Sequence, residues 1–326
     1  MGRSRRWTVA LAPGPQPTRL DRAVLAALQQ QGVALTRSAL AHAFAAGSVR
    51  EHGRSCRASE PVRGAITIEV ELPEPAPLRA QPEALALSIV FEDDAILVVD
   101  KPAGMPVHVG PGHDRGTLVN AVLGHLGVAA AALPVLPGND DTRPGIVHRL
   151  DKDTSGLVVI AKHAAAQESL AAQFRRHDLQ RAYLGLVYER PRWDEQRLET
   201  LHGRDPADRR RFSPMVGTRR AITIARVIER LHVAAVVRFE LHTGRTHQIR
   251  MHARHLGHPI LGDVLYGHVP ADERVRAAVA GLRRHALHAA ELTLRHPDGR
   301  TMSWLSPLPP ELAALRDALR DALRDA

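Results

Sequence analysis

A polar loop that runs directly into an apolar segment constrains this chain more than any other stretch. The loop, residues 148–154, carries two acids, two bases and a histidine, and the segment 155–161 that follows is largely apolar. Such an apolar run is typical of a buried strand, and a buried strand fixes the loop that enters it. Asp151 lies at this junction, between Arg149 and Lys152.

Asp151 has two interpretations from chemistry alone. Its flanking cations favour the ionised carboxylate, and a carboxylate held at a strand edge can serve as a nucleophile, a general base or a metal ligand. A turn aspartate that pairs with its neighbours has the same local sequence, because structural ion pairs perturb carboxylates as well. The loop by itself leaves both the catalytic and the structural role open.

Three stretches of the chain resemble the RluA-type RNA pseudouridine synthases. Residues 143–157 are similar to the active-site signature of that family, and residues 241–252 resemble its second signature through the run Thr-Gly-Arg-Thr-His-Gln-Ile-Arg. Residues 101–108 begin with Lys-Pro-Ala-Gly and resemble a further family segment. The resemblance covers most of residues 88–309 in the family's order, and it implies an enzyme that isomerises uridine to pseudouridine in RNA.

The resemblance assigns catalytic roles to three residues: Asp151 as the nucleophile, Tyr183 as the ring that stacks on the base, and Arg250 as the partner of Asp151. A guanidinium does not deprotonate, so Arg250 would keep the carboxylate ionised without competing for its proton. The nucleophile can attack either the ribose anomeric carbon or the uracil ring, and the sequence leaves both routes open. The reaction involves no redox change, and we expect no cofactor.

Basic residues supply the predicted RNA contacts. A uridine in structured RNA must leave its stack to reach the aspartate, and by resemblance Arg149 would insert its flat cation into the gap. The other residues of the set are bases suited to backbone phosphates, which give affinity without sequence choice. The predicted RNA-binding residues are Arg149, Lys152, Arg204, Arg211, Arg245, His247, Arg37 and Arg54.

The charge of the chain favours a polyanionic partner. The formal net charge is +9 and the pI is about 10.7, and nearly all of the basic residues are arginine, which suits phosphate and base stacking. Cys56 is the only cysteine, which excludes an internal disulfide and a multi-cysteine zinc site. We expect no metal, because the histidines of residues 247–258 lack the two-histidine-plus-glutamate spacing of zinc hydrolases.

No stretch of the sequence predicts association with a membrane. The N-terminal apolar piece, Trp7 to Ala12, is too short for a secretory signal peptide, and no apolar run is long enough to span a bilayer. We therefore expect a soluble, cytoplasmic protein, and we take it to be a monomer.

Composition and periodicity divide the chain into five segments. Prolines predict a flexible tail at residues 1–17 and a semi-rigid linker at residues 73–87. Residues 18–72, with two predicted helices and a small sheet, resemble the alpha-L RNA-binding module that precedes the catalytic domain in many RluA-type enzymes. Residues 88–310 form the predicted catalytic domain, and residues 311–326 form a C-terminal helix.

The predicted fold class is α+β. The resemblance implies a catalytic domain with a mixed, largely antiparallel sheet and flanking helices, preceded by a small N-terminal α/β RNA-binding module. In the second signature we predict a strand, a glycine turn and a helix that is capped by Thr246.

Two other functions stay open. A non-catalytic RNA-binding or ribosome-assembly factor would keep the same scaffold, although intact Asp151, Tyr183 and Arg250 speak against it. A nucleoside or glycoside hydrolase commonly uses two carboxylates, and Asp153 could be the second. Among RNAs we favour ribosomal RNA, because the N-terminal module is common in large-subunit modifiers, and transfer RNA stays open.

Overall fold

The chain divides into two compact units, Met1–Pro77 and Leu78–Ala326. The division falls inside the predicted linker 73–87, of which residues 74–79 lie outside the described part of the chain. The computed structural model describes residues 4–13, 17–33, 37–73, 80–110, 112–136, 142–231 and 233–321.

The first unit combines helices with a small antiparallel sheet. Its elements are β1 (Ser4–Leu11), β2 (Thr18–Arg19), α1 (Leu20–Gln30), α2 (Arg37–Ala45), β3 (Val49–Glu51), β4 (Arg54–Ser55), β5 (Pro61–Val62) and β6 (Ile66–Pro73). The sheet has the order β1-β6-β3-β4, and β2 pairs separately with β5. The amphipathic helix α1 buries Leu20, Val24 and Leu28 in the core of this unit.

The prediction of a flexible tail at residues 1–17 is wrong for most of the residues that the structure describes there. Residues 4–11 form β1, which pairs antiparallel with β6 along its full length. Trp7, Val9 and Leu11 alternate along the strand and pack in the core of the unit, as expected for a strand with one buried face. The partner strand, β6, lies much later in the chain, whereas the residues next to β1 in sequence are rich in proline. The local sequence therefore predicts a tail, although the distant pairing forms a strand. Residues 1–3 and 14–16 lie outside the described part.

The second unit is built around one large mixed sheet, as the α+β prediction requires. Its elements are β7 (Ser88–Glu92), β8 (Ile96–Lys101), α3 (Leu118–Leu126), β9 (Ser155–Ala161), α4 (Ala164–Arg176), β10 (Gln180–Tyr188), β11 (Glu195–Arg204), β12 (Phe212–Ser213), β13 (Arg219–Arg230), β14 (Ala234–Leu241), α5 (Gln248–His255), α6 (Glu273–Ala280), β15 (Leu287–Arg295), β16 (Thr301–Leu305) and α7 (Pro310–Asp321). The strand order is β12-β11-β13-β14-β10-β15-β9-β8-β7, with β16 beside β15. Within the described residues, β9 and β15 form the one parallel pair.

Strand β9 confirms the buried strand that the apolar run predicted. All of its residues are buried, with β8 antiparallel on one side and β15 parallel on the other. Gly156 has a φ of +116°, and a Cβ there would collide with the backbone of Ala289. The close parallel pairing therefore requires glycine at this position, and it fixes the start of β9 and the loop before it.

Helix α5 follows β14 after a tight turn, but the predicted cap at Thr246 is wrong. The N-cap is His247, which has a φ of +58° and makes no side-chain cap. A glutamine holds the turn instead: Gln248 Oε1 accepts hydrogen bonds from Thr243 Oγ1 at 2.8 Å and from Arg245 N at 3.0 Å. This unusual entry places the side chain of His247 beside the loop that carries Asp151.

The C-terminal helix packs on its own unit. Leu312, Leu315 and Leu319 of α7 are buried in the main core, and Glu311 accepts a hydrogen bond from Arg284 Nη2 at 2.8 Å. The last residues of the helix predicted at 311–326, residues 322–326, lie outside the described part. Across the described ranges, no helix has the length and apolar character needed to cross a bilayer.

Candidate active site

The loop that carries Asp151 is tied to the neighbouring strand by a buried lysine. Lys101, the last residue of β8, is fully buried, and its Nζ donates to Lys152 O at 3.0 Å. The same Nζ donates to Pro102 O at 2.8 Å and to Met105 O at 2.9 Å. One ammonium group thus joins the Asp151 loop to the segment after β8. Burial lowers the pKa of Lys101 to about 7.

Arg250, in the first turn of α5, contacts Asp151 directly. Its Nη1 donates to Asp151 Oδ2 at 3.1 Å. The other edge of the guanidinium makes two bonds to Asp263, Nε to Oδ2 at 2.6 Å and Nη2 to Oδ1 at 2.8 Å. Asp263 Oδ1 also accepts from the backbone N–H groups of Leu265 and Tyr266. Asp263 therefore holds the guanidinium in one orientation, with Nη1 directed at Asp151.

The charges around Asp151 keep it ionised although its side chain is only 18% exposed. Burial raises the pKa of Asp151, but His247 and His285, when protonated, together with the permanently charged Arg250 outweigh that effect. The net pKa of Asp151 lies below its ordinary value. A carboxylate of this kind is available as a nucleophile throughout the neutral pH range.

His247, a predicted RNA contact, lies beside Asp151. Its Nε2 is 3.9 Å from Asp151 Oδ2, and its Nδ1 is 3.2 Å from the hydroxyl of Tyr266. That hydroxyl accepts a hydrogen bond from Phe212 N at 2.7 Å. Burial lowers the pKa of His247 by more than the nearby Asp151 raises it. The imidazole is therefore mainly neutral at pH 7.

Asp151 opens onto a cavity of about 700 Å³. Tyr183 on β10 lines the cavity and is only 6% exposed. Burial raises the pKa of Tyr183, and this effect exceeds the opposing effect of Arg181, so its phenol is protonated at neutral pH. The predicted site residues that line the cavity are Arg149, Asp151, Tyr183, Arg245, His247 and Arg250.

The cavity offers one largely buried acid that can act as a nucleophile rather than two facing acids. Among the described residues that line it, the acids are Asp151 and Glu168, and Glu168 pairs with Arg175 at 2.5 Å. Asp153 does not line the cavity, and its backbone carbonyl accepts from Arg284 Nη1 at 3.3 Å. The arrangement does not match the two facing carboxylates of common glycosidases.

Arg149 and Lys152 flank Asp151 but are placed differently. Arg149 is exposed, lines the cavity, and has its Nη1 3.4 Å from His108 Nε2. Lys152 is exposed and does not line the cavity. Arg245 lines the cavity from the turn before α5, with its Nε donating to the carbonyl of Arg220 at 3.3 Å.

The basic loop between β11 and β13 lies outside the cavity lining. The guanidinium of Arg204 lies 4.3 Å from the centroid of the Phe212 ring, and its Nη1 donates to Arg209 O at 2.8 Å. Arg211 lies 3.6 Å from Asp208. The two predicted contacts of this loop thus have protein partners already.

The two predicted RNA contacts of the first unit also differ from each other. Arg54 is exposed and pairs with Glu51 at 3.2 Å and with Glu60 at 3.1 Å. Arg37 is exposed at the start of α2. Neither is among the residues that line the cavity around Asp151.

Two residues of the site carried no role in the sequence analysis. Asp263 lies in the segment 257–263, which the family resemblance covers, but nothing local shows that it contacts Arg250. Lys101 is one of three lysines in an arginine-rich chain, and that rarity was its one signal. Their roles depend on contacts between residues that are distant in sequence.

His252 and His258, two of the histidines in residues 247–258, have separate structural partners. His252 lies between two threonines, with Nδ1 2.8 Å from Thr223 Oγ1 and Nε2 2.9 Å from Thr200 Oγ1. His258 Nδ1 is 3.0 Å from Tyr188 O. Among the residues that the structure describes, no three metal-ligating side chains come together.

Comparisons with known proteins point to one family. Residues 95–255 match the family model described as RNA pseudouridylate synthase. A protein of Chloroflexus aurantiacus described as an uncharacterized RNA pseudouridine synthase is 41% identical over 93% of this chain and 90% of its own length. Ribosomal large subunit pseudouridine synthase D of Nitrosomonas europaea is 44% identical over 73% of this chain and 67% of its own length. The solved structure of human RNA pseudouridylate synthase domain containing 1 is 25% identical, with a TM-score of 0.55, over 78% of this chain and 98% of that one.

Proposed function

The chain belongs to the RNA pseudouridylate synthase family and is an RNA pseudouridine synthase, and from that premise we propose that it modifies large-subunit ribosomal RNA with Asp151 as its nucleophile. One observation carries the assignment of the nucleophile. Asp151 lines the cavity with Arg250 at 3.1 Å, and the net effect of its surroundings lowers the pKa of Asp151.

The reaction balances with the residues of the cavity alone. The N1–C1′ bond of uridine breaks, a C5–C1′ bond forms, the proton at C5 leaves, and N1 gains a proton. Asp151 can attack C1′ and displace the uracil, or it can add to C6 of the uracil ring. In both routes the carboxylate must be ionised at the start and must be expelled at the end.

Arg250 and Asp263 position the nucleophile in this proposal. Asp263 fixes the guanidinium through two hydrogen bonds, and the remaining Nη1 holds Asp151 Oδ2. Because a guanidinium does not titrate, the contact stabilises the anion without supplying a proton that would quench it. The carboxylate therefore enters each cycle ionised and oriented.

Tyr183 and Arg149 handle the extruded nucleotide. The protonated phenol ring of Tyr183 provides a flat apolar wall of the cavity on which uracil can stack. Arg149 is exposed beside the cavity, where its planar cation can occupy the gap that the uridine leaves in the RNA stack. Extrusion costs a few kcal/mol, so a residue that fills the gap offsets part of that cost.

Ribosomal RNA is the proposed substrate because a relative that shares 44% identity is named for the large ribosomal subunit. The net charge of +9 supports an extended contact with the RNA backbone, to which Lys152, Arg204, Arg211, Arg37 and Arg54 contribute. Transfer RNA is the competing substrate. We also propose that the enzyme acts on its RNA in the cytoplasm and that it does so as a monomer.

Carbodiimide mapping of pseudouridines in total RNA tests this proposal. RNA from cells that carry the gene is compared with RNA from cells that lack it. We expect a pseudouridine in large-subunit ribosomal RNA to be missing without the gene. A missing site in transfer RNA would overturn the substrate assignment. An unchanged map would show that the protein modifies neither ribosomal RNA nor transfer RNA.

Complementation separates catalysis from scaffolding. The gene with Asp151→Asn should leave the mapped site unmodified, whereas the gene with Asp153→Asn should restore it. Because Asp153 does not line the cavity, it is a matched control of the same residue type. Full phenotypic rescue by Asp151→Asn would favour a non-catalytic RNA-binding or ribosome-assembly factor.

A further inference from the structure

Arg181 is a buried cation in the cavity that the mechanism above does not use. It lies on β10 two residues before Tyr183, and both side chains line the cavity that holds Asp151. The residue is only 8% exposed. Its guanidinium carbon lies over the Phe174 ring, 5.1 Å from the ring centroid, within the range of a cation–π contact.

Arg181 has no acidic partner among the described residues. Its Nε is buried and makes no hydrogen bond. Burial lowers the pKa of Arg181, and only the phenol of Tyr183 opposes that effect. A buried charge that lacks a partner costs several kcal/mol. A protein tolerates such a cost at a site where a ligand supplies the missing charge.

Gly244 leaves room for the guanidinium in the turn before α5. A Cβ at this position would lie 3.0 Å from Arg181 Nη1 and 3.4 Å from Nη2. The φ of Gly244 lies outside the left-handed region, so the backbone conformation does not require glycine. The turn can approach the two terminal nitrogens closely because residue 244 has no side chain.

The surroundings of Arg181 are basic. His177 and Arg245 line the same cavity, and Glu168, the acid other than Asp151 in the described lining, pairs with Arg175. His148 stacks on Phe174 with ring centroids 4.6 Å apart. Its Nε2 accepts from Val159 N, so its buried Nδ1 carries a proton and has no acceptor. This part of the cavity has donors and positive charge, and no acidic side chain of the described residues pairs with Arg181.

We propose that Arg181 binds a backbone phosphate next to the target uridine and so seats the extruded nucleotide against Tyr183. The inference rests on the proposed function, because the ligand is RNA. A planar guanidinium binds two phosphate oxygens at once, and the contacts with Phe174 and Gly244 limit where that fork can lie. The contact reads the phosphodiester and not the base, so it adds affinity for any extruded nucleotide.

The first test compares stability with activity in Arg181→Leu. Leucine removes the unpaired charge, so we expect a melting temperature equal to or higher than that of the wild-type chain. We expect kcat/KM for tritium release from RNA labelled at C5 of uracil to fall about 10- to 100-fold. A clear loss of thermal stability would instead make Arg181 a structural residue and overturn the proposal.

Gly244→Ala provides a second variant that keeps the charge. The added methyl group pushes against Nη1 and Nη2, so the fork moves and kcat/KM should fall several-fold. In the Arg181→Leu background the same substitution should cause no further loss. Additive losses in the double variant would show that Gly244 does not act through Arg181.

The salt dependence of kcat/KM identifies the group that Arg181 contacts. For one lost phosphate contact, the slope of log kcat/KM against log salt concentration should shrink by about 0.7 to 1 in Arg181→Leu. Arg181→Lys should keep most of the wild-type slope, and so should Arg300→Leu, because Arg300 is exposed and pairs with Asp298. A loss of rate with an unchanged slope would indicate contact with the base and would overturn the proposal.

A binding measurement separates this inference from the proposed function. If wild-type protein releases no tritium from any RNA, the proposed function fails. The phosphate contact is then measured with an oligouridylate of about ten nucleotides and the full-length Asp151→Asn chain, with and without Arg181→Leu. Weaker binding and a smaller salt slope with Arg181→Leu support the contact, and equal binding rejects it.

Discussion

Arg250 and Arg181 line the same cavity and are almost equally buried, at 7% and 8% exposure, yet their surroundings are opposite. Arg250 makes three hydrogen bonds to Asp263 and Asp151. Arg181 stacks on Phe174 and has no acid beside it among the described residues. A cation balanced by the protein can orient a reactive group, whereas an unbalanced cation is suited to an anion that arrives with the substrate. The cavity thus combines a balanced end, where acids of the protein pair with Arg250, with a basic end, where no acid of the described residues pairs with Arg181.

The largest expected effect comes from removing Arg250, the cation that pairs with Asp263 and Asp151. Arg250→Met leaves Asp263, whose side chain is 0% exposed, buried without its cation. We expect the free energy of unfolding to fall by about 3–5 kcal/mol and kcat/KM to fall at least about 100-fold. Urea unfolding and tritium release measure the two effects.

The control for Arg250→Met is Arg300→Met, which removes an exposed ion pair with Asp298. We expect an unchanged midpoint of urea unfolding and normal activity, because surface substitutions away from special contacts have little effect on stability. Equal stability of Arg250→Met and the wild-type chain would contradict the balanced arrangement at Arg250.

The next effect concerns Arg149, an exposed arginine that lines the cavity. If its guanidinium fills the gap left by the extruded uridine, Arg149→Ala should reduce single-turnover rate about tenfold and RNA affinity much less. Filter binding and single-turnover tritium release give the two numbers. Equal losses in rate and affinity would identify Arg149 as an ordinary phosphate contact.

Replacing Arg250 should change the pH at which kcat/KM begins to fall on the acid side of its pH profile. The pKa of Asp151 and that of Asp263 are both lowered in the folded chain, so each carboxylate contributes stability above its ordinary pKa near 3.8 that is lost as pH falls through the lowered value. In wild-type protein, Asp151 should cause no loss of kcat/KM from about pH 8 down to about pH 5. In Arg250→Met the cation is lost, so burial should raise the pKa of Asp151 above its wild-type value. The fall of kcat/KM at low pH should therefore begin at a higher pH.

Arg181→Leu is the matched control for this shift, because Arg181 is not among the groups with the largest effects on the pKa of Asp151. Its acid limb should coincide with that of the wild-type chain although its rate is lower. Coincident profiles of wild type and Arg250→Met would show that Arg250 does not set the ionisation of Asp151.

The smallest expected effect extends the comparison to the first unit. Arg54 is already paired with Glu51 and Glu60, so Arg54→Ala should weaken RNA binding by less than about twofold. Arg37→Ala should weaken binding more and should reduce the salt slope by up to about 1. Fluorescence titration of the two variants with a large-subunit ribosomal RNA transcript measures both. If Arg54→Ala weakened RNA binding more than Arg37→Ala does, the ion pairs of Arg54 would not limit its contribution to binding.

The sequence was most informative where structure is local. The apolar run after Asp151 predicted β9, and the second signature predicted the helix α5, which carries Arg250. The roles of Asp263 and Arg181 were not predictable, because they depend on where Arg250, Phe174 and Gly244 meet in space. A single arginine in a strand has the same sequence signature whether or not an acid lies near it.

Local patterns also failed where a distant partner decides the structure. The alternation of Trp7, Val9 and Leu11 is short and is followed by prolines, so a flexible tail was predicted. Pairing with β6 turns that alternation into a strand with one buried face. The left-handed conformation of His247 likewise has no local signal, because non-glycine residues seldom adopt it and histidine, although more tolerant than most, does so at only a few positions.

The most direct test of the account is single-turnover tritium release by Asp151→Asn, with Asp153→Asn as the control. The amide has nearly the same size and can still accept a hydrogen bond from Arg250, so the variant should remain folded. It cannot act as an anionic nucleophile, and we predict release at the background rate, while Asp153→Asn keeps most of the wild-type rate. Release at a normal rate by Asp151→Asn would contradict the central claim that the ionised carboxylate of Asp151 drives the isomerisation.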